Sequence, residues 1–549
     1  MRTSASRSSL PADVATGWVT ESAGHPLLRA RFLAPAVAFL VFIVYLRTLA
    51  PSITWENGGI DAADFAAAAA TWGTPHPTGY PLFSLLGSLI ALLPVGEVAY
   101  RLNLLSALLG AIAVGCLVLL GERLVLTLWP AASAGATSAA TIGALAFAFT
   151  PLYWSQATVG EVYTLHVLLV VLGWHLLLGW YADPAATWRL PALAGVAGLA
   201  AANHLTSLVL LPMALAVVLL TDRGVLTRPY LILGAAGVFL LGLLPYLYLP
   251  VARVLGASYF WGDATTLPGF VALMTGATYQ SALSDRSAAA SEHVMYFPRM
   301  GALLVRQFGW TGILLVGIGL ALLWRSARPL GVAVLVFCVP IVLFTRNYWV
   351  RDSRVYLLPV FMVGALLLTV GGYWLVRAAA TALRRWLGNS HDPATTGNVT
   401  RLLVGALAVL LVVWFPVATL ARSFPEVDLS QERQLYNLAT GMLDGLPAEA
   451  ILVADSEAYD FAFAYLQNAE QRRPDVIVIA PKMLVLPWYR ERLQRRSSGL
   501  AMPPDRGDQQ LRSFLEANAR RPLFVLERDR PRPISLQNTS DPAFRLDRN

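Results

Sequence analysis

The chain has 549 residues, of which 56% are hydrophobic and only 13% are charged, and its mean hydropathy is +0.57. A soluble domain of this size lacks the interior needed to bury so much apolar surface, so the composition indicates a protein that lies mostly in lipid. The net charge of +8 is not a signal of nucleic-acid binding, because the arginines fall in short clusters between apolar runs, as positively charged cytoplasmic loops do.

The apolar runs divide the chain into three parts. Residues 1–32 are polar without an apolar core, so we expect a cytoplasmic tail there and no cleaved signal peptide. Residues 33–421 form the predicted transmembrane domain, whose runs are each long enough, or nearly so, to span a bilayer. The eleven predicted spans are 33–50, 102–121, 138–154, 162–181, 190–202, 205–221, 229–250, 309–324, 329–345, 355–377 and 401–421.

A further apolar run, 80–94, decides on which side of the membrane every later loop lies. If this short run spans, arginine-bearing segments such as Asp183–Arg189 and Arg377–Arg385 face outward, against the positive-inside rule. If it lies along the interface, those segments face the cytoplasm. We therefore predict that it does not span, that the N-terminus is inside, and that loops 51–101 and 251–308 are outside.

Residues 422–549 are more polar and alternate between short apolar strands and helical patterns, which predicts a small extracytoplasmic α/β domain. The predicted strands are Ile451–Ala454, Val476–Ala480 and Leu523–Leu526, and the predicted helices are Tyr459–Gln471 and Gln510–Ala519.

The first outer loop carries the strongest functional signal. Asp61 and Asp64 are spaced i, i+3 and share one face if a helix begins there. A helix N-terminus favours a carboxylate, so a helix cap beside a solvated acid is the structural alternative. Two acids beside a membrane surface in an acid-poor chain favour a functional role.

Several motifs spread along the chain resemble a membrane family long described only as a domain of unknown function, to which transmembrane protein 260, a protein O-mannosyltransferase, is similar. The motifs are Asp61-x-x-Asp64-Phe65, His76-Pro77-x-Gly79-Tyr80-Pro81-Leu82, Arg101-x-Asn103-Leu104-x-Ser106, Glu161-Val162-Tyr163-x-Leu165-His166, Asn203-His204-x-Thr206, Pro245-Tyr246-x-Tyr248-x-Pro250, Trp261-Gly262-Asp263, Arg351-Asp352-x-Arg354-x-Tyr356 and Arg473-Pro474-Asp475-Val476. One departure is that the family usually has Glu where this chain has Asp64.

The resemblance implies an inverting type C glycosyltransferase of the inner (plasma) membrane. Such an enzyme would move a hexose such as mannose from a polyprenyl-phosphate donor to a hydroxyl of a protein or glycan on the outer side. It implies Asp61 as the base that deprotonates this hydroxyl, with Asp64 supporting it or binding the sugar. No cofactor is assigned, and the need for a divalent metal is left open.

The other candidates would bind the donor. Arginine forks match phosphate geometry, so Arg351 and Arg354 are the first candidates for the lipid phosphate, although snorkelling arginines would look the same. Arg253 is a further candidate, and His76 would either contact that phosphate or stiffen its turn. The remaining substrate-binding candidates are Glu161, Tyr163, His166, Asn203, His204 and Tyr80.

Two other classes of protein are compatible with a chain that has many membrane spans and buried polar groups. A transporter or flippase of a lipid-linked sugar would favour internal repeats and broken helices at the midplane, but the sequence shows no repeat and its acids cluster at one face. A non-catalytic scaffold, which would hold cell-envelope partners through the tail, predicts that Asp61 is dispensable.

Overall fold

The computed structural model describes residues 26–280, 290–348, 353–388, 403, 406, 414–497, 499–504, 509–527 and 530–534. Its first part is built from helices, several of which begin with a proline at the first position, where the missing N–H costs no hydrogen bond. These helices are α1 (Pro26–Thr48), α2 (Asp61–Ala70), α3 (Pro81–Ile90), α4 (Val98–Leu128), α5 (Ser133–Ala148), α6 (Pro151–Thr158), α7 (Tyr163–Ala182), α8 (Arg189–Ala201), α9 (Leu210–Thr221), α10 (Pro229–Gly242), α11 (Tyr248–Val254), α12 (Leu267–Met274), α13 (Ala290–Ser326), α14 (Arg328–Asn347), α15 (Leu358–Gly388) and α16 (414–427).

The described residues contain seven helices long and apolar enough to cross a membrane, or eight if the bent pair α5–α6 crosses as one span. This confirms a polytopic helical membrane protein. The count of eleven stays a prediction. Helix α8 has 13 residues, or about 20 Å, which is less than a hydrocarbon core of about 30 Å. The last predicted span, 401–421, falls largely outside the described residues.

Helix α3 is also short, with 10 residues. Its length of about 15 Å is half of a hydrocarbon core. It therefore cannot cross the membrane alone, in agreement with the prediction made for 80–94.

Close helix contacts hold the membrane part together. Helix α4 packs against α1, α5 and α7, and the hydroxyl of Tyr153 in α6 donates to the carbonyl of Gly110 in α4 over 3.0 Å. Helices α8 and α10 approach so closely that a Cβ at Gly198 would lie 2.3 Å from the carbonyl oxygen of Phe239. Small residues at such contacts let helix backbones meet in lipid, where van der Waals packing drives association.

The tail folds into an α/β unit with a four-stranded sheet in the order β2-β1-β3-β4. Strand β1 is parallel to β2 and β3, and β4 is antiparallel to β3. The three predicted strands are present, and the tail's division from the membrane domain stays a prediction. The strands are β1 (Ile451–Val453), β2 (Ile477–Ile479), β3 (Leu523–Glu527) and β4 (Arg530–Pro533), and the helices are α17 (Gln434–Asp444), α18 (Glu457–Asn468), α19 (Pro487–Arg496) and α20 (Gln510–Ala517).

The α/β unit packs directly on the first loop. Helix α18 lies against α2, and the rings of Trp55 and Tyr459 meet edge to face with centroids 5.5 Å apart. An ion pair joins Arg433 to Glu97 over 2.5 Å. The tail therefore covers the segment in which the sequence places the two aspartates.

Candidate active site

A tight turn sets the direction of α2. Gly59 has φ +73°, a left-handed conformation, and a Cβ there would lie 3.0 Å from the side chain of Leu435. Glycine fits this position because it adopts positive φ without a steric penalty. Helix α2 begins two residues later, so Asp61 occupies its first position and Asp64 lies one turn further on.

Asp64 is the fully buried acceptor of four hydrogen bonds. Its Oδ2 accepts from the backbone N–H of His76 over 2.8 Å and lies 2.7 Å from the Nδ1 of the same residue. Its Oδ1 accepts from the hydroxyl of Tyr259 and, over 3.1 Å, from the indole N–H of Trp261. Because the residue is 0% exposed, this environment favours the supporting role over direct sugar binding.

His76 lies between the two aspartates. Its Nε2 is 3.7 Å from Asp61, while its Nδ1 faces Asp64, and its ring stacks on Phe461 of the tail with centroids 6.3 Å apart. Burial lowers the pKa of His76, but the charge of Asp61 and the hydrogen bond and charge of Asp64 raise that pKa to about 9. The imidazole is therefore a cation at neutral pH, held by two carboxylates.

This cation predicts a pH dependence of stability. Because folding raises the pKa of His76 from 6.5 to about 9, its contribution is fully present below the lower value and is lost as pH rises through the upper one. The melting temperature in lipid nanodiscs should therefore fall between these limits. Glutamine does not titrate in this pH range, so the melting temperature of His76→Gln should not show this fall with pH. If the melting temperatures of the unaltered chain and of His76→Gln fell equally with pH, the raised pKa of His76 would be contradicted.

Asp61 is the more accessible of the two carboxylates, with a side chain that is 21% exposed. Burial is the main cause that raises the pKa of Tyr279, and the charges of Glu457 and Asp61 add to it. Burial, followed by neighbours that include Asp61, raises the pKa of Tyr80 in the same way. The first loop (51–101), the second long loop (251–308) and the tail thus meet around Asp61.

A cluster of aromatic and histidine rings continues from Tyr80. Its ring centroid lies 6.3 Å from that of His204. His204 in turn lies 5.6 Å from Tyr163, 4.9 Å from His166 and 5.2 Å from Tyr356. The structure therefore brings four of the predicted substrate-binding residues together beside the acidic pair.

The polar candidates near this cluster have structural partners. Glu161 accepts from the side-chain amide of Asn57 over 3.1 Å. Asn203 donates to a backbone carbonyl just before α7 over 3.1 Å, and His166 lies 2.9 Å from the hydroxyl of Ser207. These contacts hold the turns in place, while substrate contact by Glu161, His166 and Asn203 stays a prediction.

The three arginines predicted to bind the lipid phosphate have different surroundings in the structure. Arg351 lies outside the described residues. Arg354 is exposed in the short helical turn Ser353–Leu357, where its charge acts on Glu56. Arg253 as a phosphate ligand stays a prediction, and the structure gives this residue a partner within the chain. Its side chain is 5% exposed and pairs with Glu491 over 2.5 Å, and it lies 3.7 Å above the Phe260 ring.

Sequence reasoning missed the residues that surround Asp64 and His76. By residue type, Trp261 and Tyr279 are typical of membrane-interface anchors. In the structure Trp261 binds Asp64 instead, and Phe461 stacks on His76. The motif Trp261-Gly262-Asp263 was the available signal. Among the described residues, no group of three or more His, Cys, Asp or Glu is placed to hold a metal ion.

Comparison with known proteins shows which proteins this chain resembles. Residues 61–227 match the model of the protein O-mannosyl-transferase TMEM260 N-terminal domain. The chain is 28% identical over 527 residues to protein O-mannosyl-transferase TMEM260 of Mus musculus, covering 92% of this chain and 72% of that protein. This chain is related to the TMEM260 family. The TMEM260 protein of Dictyostelium discoideum is 23% identical over 527 residues, covering 88% of this chain and 62% of that one.

A solved structure supports the fold of this TMEM260 relative. ArnT from Cupriavidus metallidurans, bound to undecaprenyl phosphate, superposes with a TM-score of 0.50 and 16% identity, covering 83% of this chain and 91% of ArnT. Identity this low bears on the fold alone. With the TMEM260 matches, the predicted resemblance and the assignment of this chain as a membrane glycosyltransferase are confirmed.

Proposed function

We propose that this TMEM260 relative transfers a hexose such as mannose from a polyprenyl phosphate to a hydroxyl on the outer side of the membrane, with inversion. Asp61 takes the proton of the acceptor hydroxyl. The acceptor oxygen then forms a bond to C1 of the sugar. The bond between C1 and the phosphate oxygen breaks, and its electron pair leaves with the polyprenyl phosphate. The acceptor attacks C1 on the face opposite to the leaving phosphate, so a single displacement inverts C1, and it needs one base and no second nucleophilic acid.

The observation that carries this proposal is the different environment of the two aspartates. Asp64 is enclosed and bonded to four donors, whereas Asp61 is partly exposed and lies 3.7 Å from the imidazole that Asp64 positions. A base must reach its substrate proton. Of the pair, Asp61 has the accessible carboxylate, and Asp64 and His76 fix its surroundings.

The ring cluster supports the placement of the donor. Tyr80, Tyr163, His204 and Tyr356 form a mixed aromatic and polar wall next to Asp61, and aromatic rings offer apolar area with a polar edge. Arg354 lies on the exposed turn that carries Tyr356. We assign the sugar to this wall and the lipid phosphate to the Arg354 turn, with Arg351 as its sequence neighbour.

The outer orientation rests on charge placement. The arginine clusters of the short loops face the cytoplasm only if α3 does not span, and α3 has 10 residues. The first loop, the second loop and the tail then share the outer side. Their contacts around Asp64 and His76 agree with that arrangement.

The direct test is a turnover assay with the purified full-length chain in nanodiscs. We expect release of polyprenyl phosphate from polyprenyl-phosphate mannose, with transfer of the labelled hexose to an acceptor or slowly to water. Polyprenyl-phosphate glucose serves as the donor control for sugar choice. Movement of intact donor between leaflets without cleavage would replace the transferase proposal by the flippase alternative.

A further inference from the structure

A cavity of about 700 Å³ lies between the second outer loop and the tail. Its walls include Tyr259 and Trp261 from the loop, and Phe461, Asp460 and Arg492 from the tail. Clefts of this size that combine aromatic walls with a few polar groups are typical of ligand sites. No role has been given so far to this space, which is distinct from the ring cluster beside Tyr80.

One end of the cavity reaches the residues around Asp61. Tyr279 and Glu457 line it, and both act electrostatically with the acidic pair and His76. Phe461 lines it as well and stacks on His76. A ligand held in this space would therefore end near the proposed base.

The cavity wall offers both donors and acceptors. Among the described residues, no donor reaches the Oδ1 of Asp460. The guanidinium of Arg492 stands over the ring of Tyr259 at 4.8 Å, where it lines the same space. A ligand with alternating donors and acceptors suits such a wall, which fits a polypeptide backbone and also fits a glycan.

The sheet edge separates these two possibilities. Strand β2 is the edge of the sheet among the described strands, and Val478 at its centre lines the cavity. The neighbours Ile477 and Ile479 hydrogen bond toward β1 through the Ile477 N–H and the Ile479 carbonyl. Because these groups alternate along a strand, the N–H and carbonyl of Val478 point away from β1. An edge strand can bind an extended peptide as an added strand. Here Val478 offers one N–H and one carbonyl for this pairing, whereas the outward carbonyl of Val476 and N–H of Ala480 are bonded to the side chains of Gln467 and Tyr489.

We propose that this cavity binds the acceptor, and that the acceptor is an extended polypeptide which pairs with β2 and presents a serine or threonine hydroxyl to Asp61. This inference rests on the proposed function, since it supplies the second substrate of that reaction. A glycan could occupy the volume, but it would gain nothing from the backbone groups of Val478.

The test compares two substitutions at one position. Val478→Pro removes the outward N–H, which β1 does not use, and proline is tolerated on edge strands at such positions. Val478→Ala is the matched control, because it loses the side chain but keeps the N–H. The substrates are short synthetic peptides with a central serine or threonine. We expect Val478→Pro to raise the KM for these peptides roughly 3- to 10-fold, because one hydrogen bond is lost. Val478→Ala should change this KM less than about twofold. The kcat and the hydrolysis of donor in the absence of peptide should be unchanged in both.

A second measurement does not depend on how the proline variant folds. Peptides N-methylated at alternate backbone positions should show a raised KM with the unaltered chain, because strand pairing needs those N–H groups. If Val478→Pro and Val478→Ala had the same KM for peptides, and N-methylation of the peptides did not change KM, the proposal that peptides pair with β2 would be wrong. Transfer to hexose oligosaccharides but not to peptides would replace the polypeptide by a glycan. Absence of donor cleavage in the unaltered chain would instead reject the proposed function itself.

Discussion

Asp61→Asn is expected to lower the rate of sugar transfer by roughly 10²-fold or more, the typical effect of removing a general base. The substitution keeps the shape of the side chain and most of its hydrogen bonding, but an amide cannot take the proton of the acceptor hydroxyl. Donor binding should be largely retained, because the ring cluster and the Arg354 turn are unaltered. Turnover and donor binding, measured on the same nanodisc preparation, separate the two effects.

Two other variants provide the contrast. Asp183→Asn changes an exposed acid between α7 and α8 and should leave turnover unchanged. Arg354→Ala should weaken donor binding, because it removes a charge-assisted contact that already exists before the reaction. Near-normal turnover by Asp61→Asn would refute the mechanism, and the flippase or scaffold alternatives would then gain support.

Asp64→Ala is expected to produce the largest loss of stability. It leaves the buried imidazolium of His76 without its closest carboxylate, and the hydroxyl of Tyr259 and the indole N–H of Trp261 without their acceptor. Removing one partner of a buried ion pair typically costs about 3–5 kcal/mol. The melting temperature in nanodiscs should therefore fall clearly, and turnover should fall with it.

The matched series tests the cause of that loss. Asp64→Asn keeps one accepting oxygen but loses the charge, so its melting temperature should lie between those of Asp64→Ala and the unaltered chain. Asp183→Ala makes the same truncation at an exposed site and should have little effect. Asp64→Glu restores the residue that is usual in the family and should be tolerated. If Asp64→Ala melted like Asp183→Ala, the hydrogen bonds to Asp64 would be dispensable.

Local sequence patterns predicted much of the architecture. Apolar runs marked the membrane helices, and the short apolar strands of the tail occur where they were predicted. The spacing of Asp61 and Asp64 placed both on the first turn of a helix, as observed. These features depend on neighbours within a few residues, which the periodicity of side chains records.

The contacts that define the site join distant parts of the chain. Tyr259 binds Asp64 across 195 positions, and Arg253 pairs with Glu491 across 238. Nothing in the residues around Arg253 indicates that a tail carboxylate neutralises it. The different burial of Asp61 and Asp64 is equally a tertiary property, because the second loop and the tail enclose one carboxylate and leave the other accessible.

The packing of α18 on α2 has a consequence for the order of biosynthesis. The ribosome delivers the two aspartates early, but Phe461, which stacks on His76, emerges only after the membrane helices that the structure describes. Until then the imidazole lacks its stacking partner, so a nascent chain in the translocon cannot yet have the completed site. A premature stop codon shortly before the codon for Glu457 would leave a protein that keeps the described helices α1 to α17 and yet lacks a finished site.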